Sequence, residues 1–319
     1  MFKSAIMGPI YDALDNQICP EFSNTVEYMN KILSSLPVAL SVDQVSLFEV
    51  PLLGPPVITE DRFDLLLLGE FVGRFQHWDL PFPPEKLVLP DVDSRMLLLA
   101  LSEYTANSAG FVHYKAGVLR INITDDMIPK ASPLRLNVKS LAMFMPELPS
   151  HFPDSPPLLL QVSARSAPTV SCQPDSLTVA VSADVQAFAM YQNQTLRPVF
   201  RMQADSVTAV TVVLSEETLG ATVAVTNFSL TLVHSDAGPV KMDSLEKTLS
   251  FGLKIMTPIL NERLKTMIPL PTSLLRLQDP VMRVLKGYLV VLTDLQVTPF
   301  SAHHTRSGHP VSSERFTLL

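Results

Sequence analysis

The sequence predicts an α+β fold in which two long helices bracket a series of short antiparallel strands. Between residues 158 and 234, at least five segments alternate apolar and polar residues and are separated by turn residues. This spacing is typical of an antiparallel meander or barrel. Residues 93–116 and 242–267 instead repeat apolar residues at intervals of three and four, the pattern of one helical face. Two apolar helices beside such a sheet predict a cavity for an apolar ligand.

Residues 8–36 are predicted to form the first helix. Pro20 is expected to kink or restart it, with Ser23 as the N-cap. A strand is expected over residues 41–50, followed by a proline-rich connector at 51–61 and a second strand over 63–75. The apolar face of this first helix is formed by Ile18, Phe22, Val26, Met29, Leu33 and Leu36.

The helix over residues 93–116 would be roughly 36 Å long. A strand over 118–123 and a turn at Asp125-Asp126 should follow it. The pattern then predicts a strand over 134–144 and a short turn or helix over 146–152.

The second long helix, over residues 242–267, should be kinked by Pro258. A last strand is predicted over 287–297, and residues 300–319 are expected to be disordered because they lack an apolar period. The apolar stripe of the second long helix comprises Leu245, Leu249, Leu253, Met256, Leu260 and Leu264.

The chain is unusually apolar. Hydrophobic residues make up 47% and charged residues 17%, and the mean hydropathy is +0.25. No apolar run approaches the roughly 20 residues that cross a bilayer. An apolar cavity or a large interface is therefore the better explanation. The net charge of −7 disfavours nucleic acid and a basic membrane-binding patch as well.

The cysteines and the N-glycosylation sequons are relevant to whether the protein is intracellular or extracellular. Cys19 and Cys172 are either two small buried thiols or disulfide-forming residues. N-x-S/T sequons at Asn122, Asn193 and Asn227 favour an extracellular glycoprotein. The first residues lack signal-peptide features, so we expect the sequence to begin part-way through a longer parent.

Nine segments along the chain carry a family likeness. They are NQIC at 16–19, GPP at 54–56, LLGEF at 67–71, SRMLLLALSEYTANSAGFVHYKAGVL at 94–119, DDMIPK at 125–130, VQAFAM at 185–190, HSDAGP at 234–239, LNERL at 260–264 and PLPT at 269–272. Together they resemble one family of lipid-transfer and lipopolysaccharide-binding proteins, the BPI-fold family. The resemblance covers residues 5–299, with the order and approximate spacing of the segments preserved.

The resemblance implies a BPI-like barrel, a highly twisted antiparallel sheet wrapped on two long helices. Residues 1–50 would be the last helix and central-sheet strand of an amino-terminal barrel, 51–61 a linker, 62–299 the carboxy-terminal barrel and 300–319 a tail. The family partner of Cys19 would lie in the missing part of the first barrel. So would the basic tip that binds lipopolysaccharide, and lipopolysaccharide binding is therefore not implied for this chain.

The resemblance further implies non-catalytic binding and transfer of phospholipid, with an innate-immune role. Bound phospholipid is the expected ligand, and membranes or lipoproteins are expected as transient partners. No catalytic residue, metal ligand or other cofactor is expected. The cavity is expected to be lined by Leu98, Leu101, Tyr104, Val112, Leu249, Leu253, Met256 and Leu260, although ordinary core packing explains each equally well.

Two other classes of function were weighed. An enzyme is disfavoured because the Gly-x-Ser-x-Gly, Gly-x-x-x-x-Gly-Lys and His-Glu-x-x-His motifs are absent from the sequence. A protein-interaction role would use apolar surface that the missing barrel leaves exposed, including Leu33, Leu36 and the strand over 41–50. Self-association that depends on concentration would favour this alternative.

Overall fold

The computed structural model describes residues 19–297 except 36–37, 61, 86, 91–94, 131, 133, 192–194, 216–217, 266–267 and 270–274. It divides into two compact units. The N-terminal unit comprises Met1–Ser41 and Glu49–Leu68, and the main unit comprises Val42–Phe48 and Gly69–Leu319. The predicted tail at 300–319 lies outside the described residues.

Among its described residues, the N-terminal unit contains the helix α1 (Cys19–Ser35) and the short strand β1 (Ala39–Ser41). It also contains a small hairpin, β3 (Val57–Ile58) paired with β4 (Phe63–Asp64). The helix begins at Cys19 within the described residues, so Pro20 occupies its first turn, where a proline is tolerated. Ser23 lies inside the helix and does not cap it, which corrects the expected start.

The predicted strand over residues 41–50 is interrupted by a turn. The Asp43 Oδ1 atom accepts hydrogen bonds from the backbone N–H groups of Val45 and Ser46, both at 2.8 Å. An aspartate that bonds to the backbone ahead of it is a typical turn former. The chain then enters β2 (Ser46–Glu49), which pairs with β5 (Glu70–Gly73).

The predicted antiparallel arrangement is confirmed, because residues 158–234 form five strands of one large sheet. Among the described residues this sheet has seven strands in the order β13-β12-β11-β10-β8-β7, and β9 pairs separately with β10. The strands are β7 (Arg120–Thr124), β8 (Leu158–Ala164), β9 (Thr169–Gln173), β10 (Ser176–Met190), β11 (Leu196–Leu214), β12 (Thr218–Ser235) and β13 (Ile268–Pro269).

The predicted long helix over residues 93–116 is wrong in its first half. Residues Leu97–Ser102 form strand β6, which pairs with β15 (Tyr288–Val297), and β15 pairs with β14 (Leu275–Leu285). The helix α2 begins only at Glu103 and ends at Lys115, so it is about 20 Å long. A short apolar run fits a buried strand as well as a helix, and here pairing with β15 decides.

The predicted strand over residues 134–144 is also wrong. Asn137 accepts a hydrogen bond from the Ser140 N–H at 2.8 Å and caps a short helix, α3 (Val138–Leu141). The predicted short helix after it is confirmed as α4 (Leu148–His151). The second long helix is confirmed as α5 (Met242–Leu264), with Pro258 inside it.

The hydrophobic core of the main unit lies where α3, α4 and the start of α5 pack against one end of the large sheet. Its largest fully buried side chains come from the helical segment and the strand that follows it. The sheet contributes both small and large apolar residues there. These core residues include Phe144, Met145, Leu148, Phe152, Leu158, Ala187, Ala189, Val199, Met202 and Leu245.

Candidate functional site

The eight residues predicted to line a cavity fall into two groups. Leu98 and Leu101 lie on strand β6, not on a helix as expected, whereas Tyr104 and Val112 lie on α2. The other four, Leu249, Leu253, Met256 and Leu260, lie on α5. Helix α2 packs on β5, β6 and β9, while α5 packs on β12.

The α2 residues are packed into the body of the main unit. Val112 is 1% exposed and Tyr104 is 8% exposed, whereas Leu101 on the preceding strand is largely exposed. The Tyr104 hydroxyl donates a hydrogen bond to Glu70 Oε2 at 2.5 Å. Burial, together with this bond to a carboxylate, raises the pKa of Tyr104 well above its usual value.

A cavity of about 370 Å³ lies at the start of α2, beside the turn that joins β14 to β15. Tyr104 is the only member of the predicted set that lines it. Its walls mix aromatic, charged and backbone groups, so it differs from the expected apolar cavity. Its lining includes Phe82, Glu85, Glu103, Tyr104, Lys286 and Tyr288.

The apolar stripe of α5 is fully buried only at Leu245, and its other residues, including Leu264, are half-buried or exposed. Leu245 is 3% exposed, and Leu249 packs against the core cluster. Leu253 and Met256 are half-buried, and Leu260 is 48% exposed. The helix therefore completes the core at Leu245 and carries an incompletely buried apolar face beyond it.

The face of the large sheet that meets the core changes in the same direction. On β11, Phe200 and Met202 are buried in the core, whereas Val210, Val212 and Leu214, further along the same face, are half-buried. Because side chains alternate along a strand, these even-numbered residues share one face. The sheet and α5 thus both present incompletely buried apolar residues beyond the core.

Two polar side chains attach α5 to the edge of β12. Glu246 Oε2 accepts a hydrogen bond from the Leu230 N–H at 2.8 Å. The Asn261 side-chain amide accepts from the Val223 N–H at 2.8 Å and donates to the Val223 carbonyl at 3.0 Å. The helix therefore satisfies backbone groups that an edge strand would leave unpaired.

Helix α2 uses the same combination of residues on β9. The Asn107 amide accepts from the Val170 N–H at 2.7 Å and donates to its carbonyl at 3.0 Å. Glu103 Oε2 accepts from the Cys172 N–H at 2.7 Å. This arrangement is not predictable from the sequence. Each helix sequence contains an asparagine and a glutamate, but no sequence pattern indicates which strand these side chains bind.

The cysteines and sequons are located only in part. Cys172 is free and buried, and burial, aided by the charge of Glu103, raises the pKa of its thiol to about 11. The side chain of Cys19 and the sequon residue Asn193 lie outside the described residues. Asn122 on β7 and Asn227 on β12 are exposed.

Within the part of the chain that the structure describes, no set of three or more histidine, cysteine, aspartate or glutamate residues could hold a metal ion. No helix among these residues is long and apolar enough to span a bilayer. Asp125, in the predicted turn, accepts hydrogen bonds from Arg135 and from the Leu136 N–H. It organises the loop between β7 and α3.

Comparison with known proteins gives a consistent match. The model of the LBP / BPI / CETP family, C-terminal domain, matches residues 40–297. The chain is 35% identical to the bactericidal permeability-increasing protein of Sebastes schlegelii over 300 residues, which are 93% of this chain and 63% of that protein. It is 28% identical to the lipopolysaccharide-binding protein of Bos taurus, over 93% of this chain and 62% of that protein.

A solved structure has a similar fold. The crystal structure of lipopolysaccharide binding protein matches with a TM-score of 0.51 and 23% identity, over 93% of this chain and 65% of that one. The match agrees with the predicted α+β, BPI-like fold. The chain spans somewhat less than two thirds of the length of these relatives.

Proposed function

Because the chain belongs to the LBP / BPI / CETP family, whose members are non-enzymatic lipid-binding proteins, we propose that it binds phospholipid without catalysing a reaction. In this proposal the acyl chains lie between α5 and the apolar face of the large sheet. Leu249, Leu253, Met256 and Leu260 line the site. The innate-immune role expected from the family is part of the same proposal.

The observation that carries the proposal is the incomplete burial of the α5 stripe beyond Leu245. A helix that only served the core would bury its whole apolar face. Here the exposed fraction rises from 3% at Leu245 to 48% at Leu260, while the sheet face beside the core opens in parallel. A row of partly buried apolar residues along one helical face is suited to binding an elongated apolar ligand.

The energetics of such a site need no polar anchor. Burial of one methylene group contributes about 0.8 kcal/mol, so an acyl chain of roughly 16 carbons offers about 12 kcal/mol before the costs of binding. A ligand that completes the burial of Leu253, Met256 and Leu260 would also stabilise the protein. The packing of α2 already accounts for the burial of Tyr104 and Val112, so the decisive residues are those on α5.

Native mass spectrometry of gently purified protein tests the proposal, combined with uptake of a phospholipid that carries a fluorescent acyl chain. We expect a bound phospholipid mass, and about tenfold weaker uptake in Leu260→Asp, because the variant places a carboxylate in the apolar site. Phe251→Asp is the matched control. It puts the same charge on an exposed apolar position on the opposite face of α5.

Protein without co-purifying lipid that also fails to take up the fluorescent phospholipid would contradict the proposal. Equal loss of uptake in both aspartate variants would contradict the assigned location. Lipopolysaccharide belongs in the assay as a competitor because it is the ligand in the name of one group of relatives.

An extracellular location and transient contact with membranes or lipoproteins form part of the proposal.

A second candidate function is protein interaction through the N-terminal unit. Several of its large apolar side chains are exposed, among them Phe22, Tyr28, Ile58 and Phe63. Large exposed apolar side chains are a common feature of interaction sites. Sedimentation over a range of concentrations separates the two candidates. Self-association that is abolished by Phe22→Ser and Tyr28→Ser, in protein that takes up no lipid, would favour the interaction role.

A further inference from the structure

Besides the two-residue strand β13, three strands of the large sheet have, among the described residues, an edge that is not paired along its length to another strand. Helix α5 covers the edge of β12 through Glu246 and Asn261, and helix α2 covers the edge of β9 through Glu103 and Asn107. The third edge belongs to β7, which among the described residues pairs only with β8. An uncovered edge strand is a template for pairing with another chain.

The hydrogen-bond register shows which groups of β7 point away from the sheet. The Ala164 N–H donates to the Leu119 carbonyl, so Leu119 and Ala164 form a hydrogen-bonded pair. In an antiparallel ladder such pairs alternate, which directs the backbone groups of residues 121 and 123 to β8. The backbone N–H and carbonyl of Asn122 therefore face the open edge.

Asn122 also begins the sequon Asn122-Ile123-Thr124, which lies within β7. Its side chain is exposed, and it is in register with Gln161 on β8. The neighbouring pair, Ile123 and Leu160, lies on the other face of the sheet, which packs against the core. Asn122 therefore projects from the polar face of the sheet, opposite the proposed lipid site.

We propose that Asn122 carries an N-linked glycan and that this glycan guards the β7 edge against pairing with a second copy of the chain. In the modification, the Asn122 Nδ2 atom bonds to the anomeric carbon of a lipid-linked oligosaccharide diphosphate. The bond from that carbon to the diphosphate oxygen breaks, the diphosphate leaves and the amide loses one proton. The bulky, hydrated glycan occupies the space that an incoming strand would need.

Asn227 supplies a matched control on the same sheet. It is exposed and begins the sequon Asn227-Phe228-Ser229 on β12, in register with Val207. The Asn261 and Glu246 side chains cover the β12 edge on either side of it. A glycan at Asn227 therefore does not block an uncovered strand edge. Its loss should lower the mass of the protein without changing self-association.

The test uses the full chain secreted from eukaryotic cells behind a supplied signal peptide. Glycopeptide mass spectrometry should find Asn122 occupied. Asn122→Gln and Thr124→Ala should each lose one glycan, whereas Thr124→Ser keeps the sequon and the glycan. In sedimentation, we expect the two unglycosylated variants to self-associate at about tenfold lower concentration than the wild type or Asn227→Gln.

Asn122→Pro distinguishes edge pairing from other causes of association. It removes the glycan and also the backbone N–H that faces the open edge, so it should remain as dispersed as the wild type. An unoccupied Asn122 in secreted protein would overturn the proposal. So would equal association of the wild type, Asn122→Gln and Asn122→Pro. Lipid uptake measured on the same variants reports separately on the proposed function, because β7 lies outside that site.

Discussion

The Asp43 carboxylate links the turn before β2 to helix α2. Its Oδ1 atom accepts from the backbone of Val45 and Ser46, and its Oδ2 atom lies 2.7 Å from His113 Nε2. The other ring nitrogen of His113 lies 2.8 Å from the Ala109 carbonyl of the same helix. Burial alone would raise the pKa of Asp43, but these hydrogen bonds outweigh it and lower the pKa to about 2.

A depressed carboxyl pKa makes the stability that Asp43 contributes depend on pH. The contribution is fully present above the ordinary value of 3.8 and is lost as the pH falls towards about 2. Asp43→Asn keeps the amide acceptor for the turn but loses the charge beside His113. Denaturant unfolding should therefore show a stability gap between wild type and variant near neutral pH that narrows over this acidic range.

Asp154→Asn is the control. It removes one negative charge, as Asp43→Asn does, but at an exposed side chain. This control should leave the free energy of unfolding nearly unchanged throughout. A constant gap for Asp43→Asn from neutral to strongly acidic pH would show that the charge of Asp43 does not contribute to stability.

At the scale of elements, the two longer helices of the main unit are each fixed by an asparagine that mimics a neighbouring strand. Asn261 on α5 and Asn107 on α2 each bond to both backbone groups of one residue, Val223 and Val170 respectively. A helix cannot continue a β-ladder with its own backbone. The amide side chain, which has one donor and one acceptor edge, does so instead.

Asn261→Ala and Asn107→Ala should each destabilise the protein by about 1–3 kcal/mol, because each leaves a part-buried N–H and carbonyl without a partner. Asn261→Asp should lie between wild type and alanine, since it keeps the acceptor and loses the donor. Chemical denaturation measures the effect. Lys254→Ala, at an exposed position of α5, is the control and should change stability by less than about 0.5 kcal/mol. Alanine variants no less stable than this control would contradict the proposed anchoring.

Element boundaries show where prediction from sequence reaches its limit. The alternating strands from β8 to β12 and the stripe of α5 could be predicted because their periods persist over many residues. Residues Leu97–Ser102 could not be assigned, because a six-residue apolar run lacks a distinguishable period and its partner β15 lies far along the chain. The strand predicted over residues 134–144 is wrong because Asn137 caps a short helix there. The anchoring amides depend on tertiary register, which no local pattern encodes.

On the scale of the whole molecule, one helix serves both the fold and the proposed site. The amino-terminal part of α5 completes the core at Leu245, while its carboxy-terminal part carries the exposed Leu260. Family membership was predictable from the motifs between residues 16 and 272, and the family model matches residues 40–297. The division of α5 into a core segment and an open segment was not predictable, because both carry the same apolar spacing.

Alanine substitutions should separate the two roles. Leu245→Ala should lower the free energy of unfolding by about 2–5 kcal/mol, as expected for a buried leucine, whereas Leu260→Ala should cost less than about 1 kcal/mol. Uptake of fluorescent phospholipid should show the reverse order in protein that remains folded. Leu260→Ala protein with unchanged uptake and a large loss of stability would assign Leu260 to the core instead.

The graded burial of α5 also bears on how the helix exchanges its amide hydrogens with solvent. The turns around Leu245 are held by the core and can open only when the domain unfolds, whereas the turns near Leu260 open at lower cost. Isotope exchange should therefore be slow at one end of the helix and fast at the other. A ligand bound beside Leu260 would slow amide exchange at that end and reduce the difference between the two ends of the helix. Amide exchange would therefore report ligand occupancy without detection of the lipid itself.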